Sequence, residues 1–230
     1  MQHLDFSVVG EALPFLFKGL VFSLELTAVG FLGGLVLGTG LALVRHLDVP
    51  VAARVATGYV TLMRSIPLIM VLFWFFFLVP LMLMWVTGAP RPVTIGPVWT
   101  AFITFTLFEA AYYAEIIRAG LKAIPKGQYE ACKALAMSTA KTYRLVILPQ
   151  VFRTVSPILL TQTIILFQDT SLVYVLSITD LLGAASKVAQ RDARLVEMYL
   201  TVAVVYMAIC SLASQLVATL RKRYAIPSRA

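Results

Sequence analysis

The stretch EACKALAMSTAKTYRLVILP, residues 130–149, decides how the rest of this chain is read. It is the longest polar interruption in an otherwise apolar sequence, carrying Lys133, Lys141 and Arg144 and no long apolar run. A helix beginning near Gln128 brings Ala131, Leu135 and Ser138 close to one face. Ser138 or Thr139 is placed to N-cap a second helix running towards Leu148. The stretch therefore reads as helix, short turn, helix, with Pro149 and Gln150 where the chain re-enters something apolar. Taken alone, its bland reading is a positively charged cytoplasmic loop of some membrane protein.

Composition sets the class around it. Of 230 residues, 60% are hydrophobic and 13% charged; a soluble domain carries about 25% charged residues and cannot expose so much apolar surface. The chain is thus an integral membrane protein, and its mean hydropathy of +0.89 agrees. The net charge of +8 does not point to nucleic acid, because the basic residues flank apolar segments, as topology signals do. Cys132 lies in the polar loop and Cys210 in the last apolar segment, so a disulfide between them is not expected and neither has metal-ligand spacing. His3 and His46 are far apart, and no nucleophile or metal constellation emerges. No cofactor and no membrane-enzyme activity is expected. Asp5 and Glu11 stand where a cleaved signal peptide has positive charge.

Five spans are expected within one transmembrane domain covering 1–230: residues 20–44 with an amphipathic lead-in from Leu13, then 65–86, 98–119, 150–168 and 195–220, with the polar loop at 125–149. Gly30, Gly34 and Gly38 recur on one face of the first span, a ladder that permits close helix approach and needs no role beyond packing. Glu25 is expected near a water interface. Arg64 and Pro67 mark the start of the second span, where Pro67 disturbs the first turn and Arg64 anchors a helix end. Glu109 falls near the middle of the third span, where a charge costs roughly 2.5–3.5 kcal/mol. It should face protein or water. With Tyr112 and Tyr113 it offers a polar patch for a substrate ammonium, or it is a structural carboxylate bonded to a neighbouring helix. Glu115 and Arg118 are spaced for a local ion pair.

The fourth span is broken by Gln150, Arg153, Pro157, Gln162 and Gln168, so it should be enclosed by other helices and line a pathway. Asp169, Thr170 and Ser171 break it, Leu172 to Leu182 reads as a partly embedded helix, and Ser186 to Arg194 as a polar connection. With five spans and the polar loop inside, fourteen of the nineteen Lys and Arg lie on that side. This puts the amino terminus outside and the carboxyl terminus in the cytoplasm.

The spacing of Glu130, Ala131, Ala136, Val146, Leu148 and Pro149 resembles the EAA loop of ATP-binding-cassette importer permeases: EAA, three residues, Gly, nine residues, Ile, one residue, Leu, Pro. Cys132 departs from the usual Ala, Ala136 from Gly, and Val146 mildly from Ile. RSIP at 64–67, FEAAYYAEIIRAGL at 108–121 and LFQDTSLVYVLS at 166–177 are similar to the polar amino-acid subfamily, most closely to glutamate/aspartate permeases. The resemblance implies an all-α, type I importer-like permease in a bacterial inner membrane. It further implies a second homologous permease or a second copy, a dimer of ATPase subunits, an extracytoplasmic substrate-binding protein and an amino-acid substrate. It assigns ATPase coupling to Glu130, Ala131, Cys132, Ala136, Leu148 and Pro149, with Ser138 and Pro149 as hinges. The expected substrate pathway is Glu109, Tyr112, Arg153, Gln162, Gln168 and Asp169, Arg153 being the cation in the fourth span. No GxxxxGK[ST] run is present, so ATP hydrolysis belongs to a separate subunit. Glutamine, histidine or basic amino acids are alternative substrates. An ATPase-independent carrier or channel is the alternative class, and transport by the isolated chain would identify it.

Overall fold

The computed structural model describes residues 4–224; His3 and Arg229 lie outside that range. The described residues form helices joined by short connections. They are α1 Ser7–His46, α2 Ala52–Ser65, α3 Leu68–Thr87, α4 Pro97–Ala123, α5 Lys126–Ala134, α6 Thr139–Leu176, α7 Leu181–Arg191 and α8 Leu195–Tyr224. Four of them, α1, α3, α6 and α8, are long and apolar enough to cross a membrane. The third expected span, α4, is long enough at 27 residues but more polar. It has no need of an apolar exterior: nearly half its residues are buried, including Thr100, Thr104 and Glu109, because α1, α2, α3 and α6 pack around it.

The glycine ladder is the seam that holds α1 to α4. A β-carbon at Gly34 would meet the Glu109 Cβ at 3.0 Å, and one at Gly38 would meet the Ala110 carbonyl oxygen and the Tyr113 Cβ at 2.9 Å each. The two helices run parallel, since Gly30, Gly34 and Gly38 meet Phe105, Ala110 and Ala114 in step. Glu25 is exposed on the opposite side of α1, 21 residues before the helix ends at His46, and not at a helix end.

Several segments differ from their expected form. The lead-in and the first span are one 40-residue helix, because Ala12 and Leu16 continue the apolar face and pack on Leu181, Ala185, Val188 and Met198. The expected helix over Leu172–Leu182 is instead a 3-10 continuation of α6 through Leu176, ended by Ser177 in the left-handed region at φ 61°. Asp169, Thr170 and Ser171 tighten the helix without breaking it, with the Thr170 hydroxyl donating to the Phe167 carbonyl. The supposed polar connection is largely α7, capped by Asp180, whose carboxylate accepts the N–H groups of Leu182 and Gly183. Its small residues Gly183, Ala184, Ala185 and Ala189 are buried, so its polarity is one-sided.

Pro149, where the chain was expected to re-enter an apolar region, lies within a continuous helix. The helix runs on from Thr139 through Leu176, and the turn before Pro149, Thr142–Ile147, is wound as a π-helix. A proline clashes with the carbonyl four residues earlier, and the wider π turn removes that clash. The same device precedes Pro80, where Trp74–Leu78 is π-helical. At Pro157 the carbonyl of Arg153 is instead satisfied by the Ser156 hydroxyl at 3.2 Å.

Candidate functional site

The polar hairpin is short and firmly tied down. α5 ends at Ala134, too early for Ser138 to share its face as the sequence suggested. Instead the Ala136 N–H donates to the Lys133 carbonyl and the Met137 N–H to the Cys132 carbonyl, a Schellman closure with Ala136 in its left-handed position at φ 51°. That is the position at which the importer pattern has glycine, and the backbone supplies the reason. Ser138 then caps α6, accepting the Lys141 N–H. Relieving the left-handed alanine predicts that Ala136→Gly raises stability by about 0.5–1 kcal/mol, read as an upward shift in the thermal midpoint of the purified protein.

Three helices hold this hairpin. The Tyr129 hydroxyl donates to the Leu121 carbonyl at 3.2 Å, tying α5 to the end of α4. Gln150 Nε2 donates to Gln128 Oε1 at 3.1 Å, tying it to α6. The His46 ring, at the end of α1, stacks on Tyr129 and meets Tyr143 edge-on, with centroids 6.3 and 6.0 Å apart. Close by, Arg45 pairs with Glu115 and donates to Thr57, while Arg118 makes the expected bond to Glu115 at 3.3 Å. The hairpin is thus joined to α1, α4 and α6 together.

Of the expected coupling residues, Glu130, Ala131, Ala136 and Pro149 are exposed and Leu148 is half-buried, whereas Cys132 is only 4% exposed. A residue outside that set stands out: Leu135, at the tip, is 75% exposed. Its place as the large apolar residue between Ala134 and Ala136 in a polar loop was the available signal.

The second site lies at mid-bundle. Glu109, on α4, is 1% exposed; its Oε1 accepts from Gln162 Nε2 of α6 at 3.3 Å, and its Oε2 has no hydrogen-bond partner among the described residues. Asp169 lies within electrostatic reach of both Glu109 and Tyr112. Tyr113 turns away, with its hydroxyl against Thr163 at 3.1 Å. Gln168 is exposed in a column with Thr161 and Ile165 along α6. Arg153 is not brought to this cluster: it is exposed nine residues before Gln162, about 14 Å lower along the helix. The cation that does reach the cluster is Arg64 of α2, whose guanidinium carbon lies 5.6 Å from the centre of the Tyr112 ring. The sequence reading had placed it only as a helix anchor, because nothing in the spacing shows that the Ile66–Pro67 break aims it at α4.

A helical membrane protein with a rigid polar hairpin at one end and a charged cluster between its central helices is organised as a solute permease moved from outside itself. The chain belongs to the family described as the binding-protein-dependent transport system inner membrane component, whose model matches residues 34–226. It is 45% identical over 225 residues to the glutamate/aspartate import permease protein GltK of Escherichia coli O6:H1, covering 98% of this chain and all of that one. It is 31% identical over 225 residues to the glutamine transport system permease protein GlnP of Escherichia coli K12, with 98% and 100% covered. A crystal structure of an amino acid ABC transporter with histidines contains a chain that superposes with a TM-score of 0.83 at 27% identity, covering 96% of this chain and 100% of that one.

Proposed function

We propose that this chain is the permease subunit of an ATP-driven importer of acidic amino acids in a bacterial inner membrane. The observation that carries the reading is end-to-end similarity at 45% to a glutamate/aspartate import permease. The hairpin at 126–141 supports it, being polar, tied to three helices and tipped by an exposed leucine. Its ATPase partner is a separate dimer that presses on this hairpin; a binding protein delivers substrate to the opposite face, and a second permease, identical or homologous, completes the pathway. The parallel course of α1 and α4 places their Arg45 and Arg118 ends together, consistent with a cytoplasmic hairpin, an external amino terminus and an internal carboxyl terminus.

The transported amino acid passes Glu109, Tyr112 and Asp169, with Gln162 and Gln168 as hydrogen-bonding partners on α6. Arg153, nearer the hairpin, lines the inner part of that path. The test is uptake of radiolabelled L-glutamate into proteoliposomes containing this chain, its partner permease, the ATPase and the binding protein. Uptake that needs ATP and is outcompeted by L-aspartate is the expected result. ATP-independent uptake by the chain alone overturns the reading. A preference for L-glutamine supports the second reading, which the similarity to a glutamine permease favours.

A further inference from the structure

We propose that Arg64, stacked on Tyr112 beside Glu109 and Asp169, is the residue that receives a carboxylate of the transported amino acid. The inference rests on the amino-acid importer reading above and specifies how its mid-bundle site recognises substrate. Arg64 lies in the last turn of α2, about 18 Å along that helix from its start at Ala52. From Thr57, which accepts from Arg45 near the end of α1, Arg64 lies seven residues further on, about 10 Å along the helix. An arginine between the helices of a membrane protein is retained where it meets protein, water or a ligand. Ile66 is extended at φ −122° and ψ 138° ahead of Pro67, so α2 ends immediately after Arg64 and Ser65 and leaves the guanidinium at an open helix end.

What Arg64 touches decides its role. It is exposed, and among the described residues it makes no hydrogen bond and no ion pair; its contact is the face of the Tyr112 ring, 5.6 Å away. A guanidinium so placed keeps its fork of donors available for a planar carboxylate. The two nearby acids are not paired with it. Glu109 is bound to Gln162 with its second oxygen unpartnered, and Asp169 stands within electrostatic reach of Tyr112 from α6. One cation and two carboxyl groups are therefore held apart around an aromatic ring, a charge pattern that an amino-acid zwitterion satisfies by laying its carboxylate on Arg64 and its ammonium towards Glu109 and Asp169. A permanent Arg64 to Glu109 salt bridge would close the site, and none is formed: Glu109 packs against Gly34 of α1 and bonds Gln162 of α6.

The test uses the reconstituted importer and radiolabelled L-glutamate and L-aspartate. Arg64→Gln is expected to lower uptake at least tenfold, and Arg64→Lys to retain more than Arg64→Gln. Arg64→Cys in the assembled complex should recover to within threefold of wild type after reaction with a methanethiosulfonate carrying an ammonium, and should stay inactive with one carrying a sulfonate. Cys132 and Cys210 are buried, and wild type treated in parallel controls for them. Charge-specific recovery after assembly is something a merely structural arginine would not give. Uptake within twofold of wild type in assembled Arg64→Gln, equal recovery with both reagents, or failure of every variant to assemble overturns the proposal. Absence of amino-acid uptake by the wild type overturns the importer reading instead.

Discussion

Replacing Gly38 with leucine is expected to cost the protein its folded bundle, while the same change at Gly40, one half-turn away, is tolerated. At Gly38 a β-carbon alone would sit 2.9 Å from the Ala110 carbonyl oxygen and 3.0 Å from the Ala114 nitrogen, both backbone atoms that cannot swing aside. A leucine must push α1 off α4 along the seam that also buries Glu109 and Tyr113. Overpacking a core usually costs about 1–3 kcal/mol, and a backbone collision in a central helix pair belongs at or above the top of that range. Gly40 has nothing within 4 Å, so Gly40→Leu leaves the seam intact. Yield of monodisperse protein in mild detergent, and its thermal midpoint, read the difference directly. Equal behaviour of the two variants would mean that α1 and α4 do not meet along this ladder.

Leu135→Asp is the second large effect, and it separates coupling from folding. Leu135 is 75% exposed, so its replacement removes no internal contact and the isolated chain should retain its thermal midpoint. If the hairpin docks in an ATPase groove, the leucine tip is its apolar anchor, and such anchors contribute about 2 kcal/mol or more to an interface. That is roughly thirtyfold in affinity, before the added cost of burying an unpaired carboxylate. ATPase recovered with the permease and ATP-dependent uptake should fall together. Leu145, also exposed but beyond the tip on α6, is a useful comparison. Ala136 is a poorer place for this test, because any bulky residue there is strained at φ 51° before an ATPase is considered.

Much of this architecture can be read from the residues because the membrane enforces a simple rule: long apolar runs with basic flanks become helices. The glycine ladder predicted close approach, Ser138 predicted a cap, and Glu115 with Arg118 predicted a pair; all three follow from spacing within one segment. What escaped depends on contacts between segments. α7 reads as a polar connection because its burial is one-sided and the α1 residues that cover it, Ala12, Leu16 and Gly19, are distant in sequence. The π turn that absorbs Pro149 has no sequence signature. At mid-bundle, Glu109 is joined to Gln162, one of the two glutamines expected along the pathway, while Arg153 lies about 14 Å lower on α6 and Arg64 is the cation beside Tyr112.

The claim on which the rest depends is that the 126–141 hairpin faces the cytoplasm and is covered by a separate ATPase. Cys132 is too buried to report on it, so the measurement is made on Leu135→Cys, using a membrane-impermeant maleimide on intact spheroplasts, on permeabilised ones, and on the complex with ATPase bound. The account predicts no labelling of intact spheroplasts, strong labelling after permeabilisation, and protection when the ATPase is present. Labelling at residue 135 in intact spheroplasts would contradict it.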